Sequence, residues 1–334
     1  MFNVFLYAFN AVMPILLLLL LGYALRRVGF AGEEFFKKAN ALVFHVFLPL
    51  LLFCNVYDID SLSDVHWGDV GYIAFVVVLL AVIGLVLARF FIPERLQKGP
   101  FIQCVFRSNC AILGIPLAEA LGGAQGVAFA AVATAVTIPL FNTLAVIILS
   151  YYADKKPSVK ATVVRTLKNP LILGVAAGLL VLAVRSQIPI GSDGAPVFLL
   201  ERNCVFLFSA VRMAAQAASP LALVVLGARF DFSAVRSLLR QIALGTFCRI
   251  VLAPALAIGG AIALTQLGVL QFTPTEFPAL VAVFGSPIAV SSAVMVGEIG
   301  GDDQLAAQLV VWTSAFSLFT IFITVFLLRS FSYL

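Results

Sequence analysis

Polar positions along this chain are sparse and bunched. Between them lie ten apolar runs, at roughly residues 5–25, 38–57, 69–91, 101–122, 126–152, 162–184, 204–228, 239–264, 277–299 and 304–330. Each is close to the twenty or so residues that a helix needs to cross a hydrocarbon core. The pattern predicts an all-α polytopic membrane protein of ten transmembrane helices, with little chain left over for loops and none for a soluble domain. The first run begins without a basic segment and ends at Arg26-Arg27, so it is expected to be a retained span rather than a cleaved signal.

Two of the runs are interrupted, one by Asn109-Cys-Ala-Ile-Leu-Gly-Ile-Pro116 and the other by Val283-Phe-Gly-Ser-Pro287. Proline lacks the N–H that its helix needs and clashes with the carbonyl four residues earlier, so helices 4 and 9 are expected to break. Freed backbone groups cost several kcal/mol in lipid, and a break survives only where protein or a water-filled cavity supplies partners, as at a transporter's substrate site.

Pro49 and Pro220 stand 171 residues apart, as do Pro116 and Pro287. Phe47-Leu-Pro-Leu-Leu-Leu52 also answers to Ala218-Ser-Pro-Leu-Ala-Leu223, and Gly114-Ile-Pro116 to Gly285-Ser-Pro287. The chain reads as two copies, 1–153 and 162–334, joined by a cytoplasmic linker at 154–161. Five spans per copy is an odd number, which predicts two inverted five-helix repeats. Half-helices starting at Pro116 and Pro287 would then aim their N-termini at the interior from opposite sides. Each end carries about half a positive charge with orphan N–H donors, so the meeting point favours an anion.

Composition narrows the class. With 334 residues, 62% hydrophobic and 11% charged, and a mean hydropathy of +1.10, the chain is too apolar for a soluble protein. The net charge of +5 suggests nucleic acid only when its location is ignored. Arg26, Arg27, Lys37, Lys38, Arg89, Arg95, Lys98, Lys155, Lys156, Lys160, Arg165, Lys168, Arg229, Arg236 and Arg240 all fall between spans 1–2, 3–4, 5–6 and 7–8. That bias makes those loops cytoplasmic and puts both termini outside a bacterial inner membrane. The five cysteines have scattered spacings that form no zinc or redox motif, and neither metal nor cofactor is implied. The sequence also lacks HExxH, GxSxG and paired intramembrane aspartates, which argues against an enzyme.

Candidate binding residues cluster at the interruptions: Asn109, Gly114, Ile115 and Pro116 at the first, Ser286, Pro287, Ser291 and Ser292 at the second. The Asn109 amide can donate to a carboxylate, while the serines can hold a ligand or close back on freed carbonyls. Arg107, Arg212 and Arg249 fall within spans and need a cavity or a partner, for which Glu119 and Glu298 are candidates. Arg107 either holds substrate charge or bridges to Glu119; Arg212 and Arg249 snorkel or anchor packing. His45 is either a proton-linked group or a hydrogen-bonded core residue, and His66 sits in an acidic external loop. Asn142 can add a polar wall from span 5.

These segments resemble the auxin efflux carrier family, the PIN-like transport proteins with bacterial members. The likeness rests on Ala41–Phe53, Phe106-Arg-Ser-Asn-Cys-Ala-Ile-Leu-Gly-Ile-Pro-Leu117, Lys168–Gly174, Ser219–Gly227 and Ser286-Pro-Ile-Ala-Val-Ser-Ser292. The resemblance implies helices 4 and 9 crossing at their prolines, an elevator-like movement, small organic anions such as malate-like or auxin-like acids as cargo, and a homodimer. It identifies Asn109 as the crossover asparagine. Plant members that export auxin carry a long central loop, whereas here about ten residues join spans 5 and 6. Sodium-coupled bile-acid carriers and sodium/proton antiporters resemble the same architecture, so a secondary carrier, with proton, sodium or no coupling, and a ligand sensor both remain open readings.

Overall fold

The computed structural model describes residues 2–58, 67–153, 164, 167–185, 187–189, 198–231 and 233–334. The linker at 154–161, Arg165 and the acidic loop around His66 lie outside them, as do the side chains of Ile115, Pro116 and Glu119. The structure is 84% helix, with no strand among the described residues. In chain order the main helices are α1 (Phe2–Arg27), α2 (Glu33–Tyr57), α3 (Trp67–Phe91), α4 (Arg95–Phe106), α5 (Ile115–Ala153), α6 (Pro170–Arg185), α7 (Val205–Arg229), α8 (Ala234–Gln266), α9 (Phe277–Leu280), α10 (Val290–Ile299) and α11 (Asp303–Ser330). Among the described residues, seven helices are long and apolar enough to cross a membrane, counting Phe277–Ile299 as one.

Both expected interruptions exist, but the first is displaced. Backbone at 107–109 leaves the helix, and Arg107 is extended with ψ 128°. The chain re-enters through a π-helical turn at Cys110–Gly114, and Pro116 lies in helix that runs on until the backbone turns sharply at Gly123 (φ 58°, ψ −149°), so that α5 is two helical segments joined at that glycine. The second interruption, 286–289, does contain its proline, and α10 starts at Val290. The expectation of half-helices starting at Pro116 and Pro287 is therefore corrected: they start at Cys110 and Val290.

A local rule explains how these prolines are carried. Among the described residues four π-helical turns occur, Val43–Phe47, Cys110–Gly114, Cys248–Leu252 and Val281–Gly285, and each ends two residues before a proline, at 49, 116, 254 and 287. A π-turn pairs each N–H with the carbonyl five residues back. At Pro49, Pro116 and Pro254, which stay in helix, the wider turn makes room for the ring, whereas at Pro287 the helix ends instead.

Helix packing divides the described helices into two blocks. In one, α1 lies on α7 and α2 on α6 and α7. A Cβ at Gly22 would land on the Val224 carbonyl and one at Gly227 on the Leu19 carbonyl, so α1 and α7 touch backbone to backbone. The other block joins α3, α4, α5, α8, α9, α10 and α11. At the end bearing Arg26 and Arg229 the blocks are bolted together by polar contacts. Asn40 Nδ2 donates to Glu298 Oε1 at 2.8 Å and to Val294 O at 3.3 Å, Arg229 pairs with Asp303, and Gln308 Nε2 donates to Asp231 O at 2.7 Å. Glu298, a candidate partner for an intramembrane arginine, thus serves Asn40 instead.

Candidate functional site

The two interruptions meet. The Asn109 N–H, released when α4 ends, donates to Pro287 O at 2.9 Å, and Asn109 O accepts from Leu113 N at 3.1 Å. Each break thus supplies what the other has lost, which lets irregular backbone persist in an apolar interior.

The carbonyl ends of the incoming half-helices converge on one side chain. Arg249, on α8, is 0% exposed. Its guanidinium donates to Phe284 O at 2.5 Å, Val283 O at 3.4 Å and Val105 O at 3.5 Å. A fixed positive charge therefore occupies the negative dipole ends of both segments. Arg249 does not snorkel; it anchors the packing of these segments by capping the crossing.

The opposite ends border a cavity of about 60 Å³. By this measure a water needs roughly 10–15 Å³, so the space holds several waters or a small polar group. Cys110 and Val290, the first residues of the outgoing half-helices, both line it, together with Arg107, Ser108, Asn109, Asn142 and Ser291. Facing them are Leu48, Leu51, Leu52 and Asn55 of α2, Leu171 of α6, and Ser219 and Ala222 of α7. The cavity is thus polar on the block with the interruptions and largely apolar on the other.

Arg107 dominates this site. It is 3% exposed, and one of its nitrogens donates at 2.8 Å to both Asn142 Oδ1 and Ser291 Oγ while the other rests on the Met295 sulfur. All three partners are neutral, and among the described residues no carboxylate pairs with it. Asn142 Nδ2 is spent on Ile138 O at 2.8 Å, which fixes the amide and turns its oxygen toward Arg107. Beside this guanidinium, Asn109 Nδ2 and Ser108 Oγ are buried without a hydrogen-bond partner among the described residues. Unpaired buried donors next to an uncompensated cation are costly in an empty protein, and an anion would satisfy all of them.

The other sequence candidates are distributed around this point. Gly114 is buried against Ala282 at the crossing. Ser286 Oγ donates to Ala282 O at 2.6 Å, closing back on a freed carbonyl, and does not line the cavity. Ser292 is buried with an unpartnered hydroxyl, also off the wall, whereas Ser291 is on it. His45 is exposed, with Nδ1 against Ala41 O at 2.9 Å, so it turns away from the cavity. Arg212 pairs with Asp58 near the end of α2. Sequence reading missed Ser108, Asn55 and Ser219 as wall residues; Ser219 had a signal in its position beside the repeated Pro220, while Asn55 had none.

Comparison with known proteins agrees with the apolar architecture. The family described as membrane transport protein matches residues 7–325. A protein named as an uncharacterized transporter of Methanothermobacter thermautotrophicus is 25% identical over 321 residues, covering 94% of this chain and 96% of its own.

Proposed function

The chain belongs to the membrane transport protein family, the auxin efflux carriers, and from that premise we propose that it is a secondary carrier of small organic carboxylates, malate-like or auxin-like acids among them. The observation that carries this reading is the buried Arg107 guanidinium, with no acidic partner among the described residues, beside the free Asn109 amide in one cavity. A carboxylate placed there accepts from Asn109 Nδ2 and Ser108 Oγ and cancels the charge of Arg107, with the start of α10 adding a positive dipole end.

The finer architecture is part of the proposal. Ten spans form two inverted repeats in a bacterial inner membrane, both termini outside, in a homodimer. Packing of α1 on α7 and of α2 on α6 supports the repeat, since these two pairs exchange when each helix is replaced by its counterpart in the other half. The block containing both interruptions carries the cargo past the α1, α2, α6 and α7 block in an elevator movement. Contacts at the Arg229–Asp303 end join the two blocks in the described arrangement. Arg249 occupies the carbonyl ends where a cation would otherwise be drawn, which weighs against sodium coupling.

Counterflow of labelled malate and pyruvate in proteoliposomes, with and without a pH gradient, tests this. Saturable exchange is expected. Binding without flux would make the protein a sensor, flux that requires sodium would favour the bile-acid-carrier type of coupling, and acceleration by the gradient would establish proton coupling.

A further inference from the structure

We infer that the wall facing Arg107 reads the body of the cargo. Asn55 of α2 and Ser219 of α7 recognise a neutral hydroxyl or oxo group, so the preferred cargo is a short hydroxy or oxo acid rather than a plain alkanoic acid. This deepens the carrier reading and rests on it. Leu48, Leu51, Leu52 and Asn55 all line the cavity, and their spacing of three, four and seven residues places them on one stripe of α2. Leucine would continue that stripe at 55. An amide on a membrane-spanning helix is disfavoured unless a polar group meets it, yet the half-buried Asn55 makes no hydrogen bond among the described residues. Ser219, one turn before Ala222 on the same wall, repeats the situation. Ser237, Ser286, Ser317 and Ser330 each turn the hydroxyl back onto a carbonyl three or four residues earlier, whereas Ser219 makes no such bond among the described residues.

The groups that suit a carboxylate stand on the other side. Arg107, Ser108, Asn109 and the helix starts at Cys110 and Val290 all belong to the interrupted block, where Asn142 is spent on Arg107 and Ile138. Among the described residues no charged side chain lines the facing wall. Its two polar groups, an amide and a hydroxyl, can each donate and accept, which matches a hydroxyl or a carbonyl on the cargo. The leucines and Ala222 around them give a short carbon chain an apolar lining. A plain alkanoic acid would fill the same space and leave both groups without a partner, which is the costly arrangement.

The test uses the purified full chain in detergent. Affinities for 3-hydroxybutyrate against butyrate, and for lactate against propionate, are taken from ligand-induced shifts in melting temperature. The members of each pair share length and charge and differ by one hydroxyl. For the unaltered chain the hydroxy acid should bind about tenfold tighter. The double variant Asn55→Leu, Ser219→Ala should bring that ratio toward one by weakening the hydroxy acids. Asn109→Ala should weaken both members alike and keep the ratio, because it acts on the carboxylate. Equal affinity within both pairs for the unaltered chain would overturn the proposal even if the variants failed to fold. A folded double variant that kept the ratio would overturn it too, as would a ratio lost in Asn109→Ala and kept in the double variant. Flux of labelled lactate in proteoliposomes is followed alongside. Saturable flux without a hydroxyl preference would sink this inference and leave the carrier reading intact, whereas absence of both flux and binding for all four acids would remove the two together.

Discussion

Gly114 and Gly285 occupy matching places before the two repeated prolines, and the structure predicts that alanine will be harmful at one and tolerated at the other. A Cβ at Gly114 would stand 2.6 Å from Ala282 O, 3.0 Å from its carbonyl carbon and 3.1 Å from its Cβ. Two of these three atoms are backbone, so relief requires the crossing segments to part by roughly 0.6 Å. Such a shift would stretch the Asn109 N–H to Pro287 O bond from 2.9 Å to near the limit of hydrogen bonding. Overpacking costs about 1–3 kcal/mol and the weakened bond about 0.5–1.5 kcal/mol, against which alanine regains about 0.5–1 kcal/mol of helix propensity. The net loss is about 0.5–4 kcal/mol. At Gly285 the nearest atoms are Val281 Cγ1 at 3.4 Å and Ile321 Cγ1 at 3.9 Å, which is ordinary contact, so Gly285→Ala should be neutral or slightly stabilising. Thermal melts of the purified chain in detergent, alongside carboxylate affinity, provide the assay. Gly114→Ala should melt several degrees lower and bind more weakly, and Gly285→Ala should do neither. Equal melts for the two variants, or greater damage at Gly285, would refute the assigned geometry of the crossing.

Three further outcomes follow from the same contacts. Asn109→Ala removes an amide nitrogen that has no partner among the described residues, so it should weaken carboxylate binding by about tenfold while shifting the melt little; this can be read by ligand-induced stabilisation in detergent. Arg249→Met strips the cap from three buried carbonyls and should cost about 3–5 kcal/mol, seen as a large drop in melting temperature that Arg249→Lys only partly repairs. Asp303→Asn breaks the half-exposed pair with Arg229 and should cost under about 1 kcal/mol, with the difference from the unaltered chain shrinking in melts at high salt.

Much of the site lay close to the surface of the sequence, because proline and glycine act on the backbone next to them. The four π-turns each end two residues before a proline, and Asn109, quoted at the start of the expected interruption, is the last residue of the observed one at 107–109. Serine was harder to place. Ser286, Ser291 and Ser292 are chemically alike in sequence, yet only Ser291 reaches the cavity, because the helical rotation after Val290 turns one hydroxyl toward Arg107 and leaves the other buried without a partner. His45, read in the sequence as either a proton-linked group or a hydrogen-bonded core residue, is exposed and off the wall that Leu48, Leu51, Leu52 and Asn55 form on the same helix.

The amino-acid order by itself determined the solvent of this protein, the apolar lengths of its helices, the repeat of prolines at 171 residues and the region where the helices must be interrupted. These are local properties, set by side-chain transfer energies and by the missing proline N–H. Only the tertiary structure decided that the first break falls at 107–109 rather than at Pro116, that Asn109 N–H finds Pro287 O, and that Arg249 takes the freed carbonyls while Arg107 is left with neutral partners. A hydrogen bond freed at one point in the chain can be satisfied by any group that folding brings near. That choice belongs to residues 34 to 184 positions away, and no local pattern carries it.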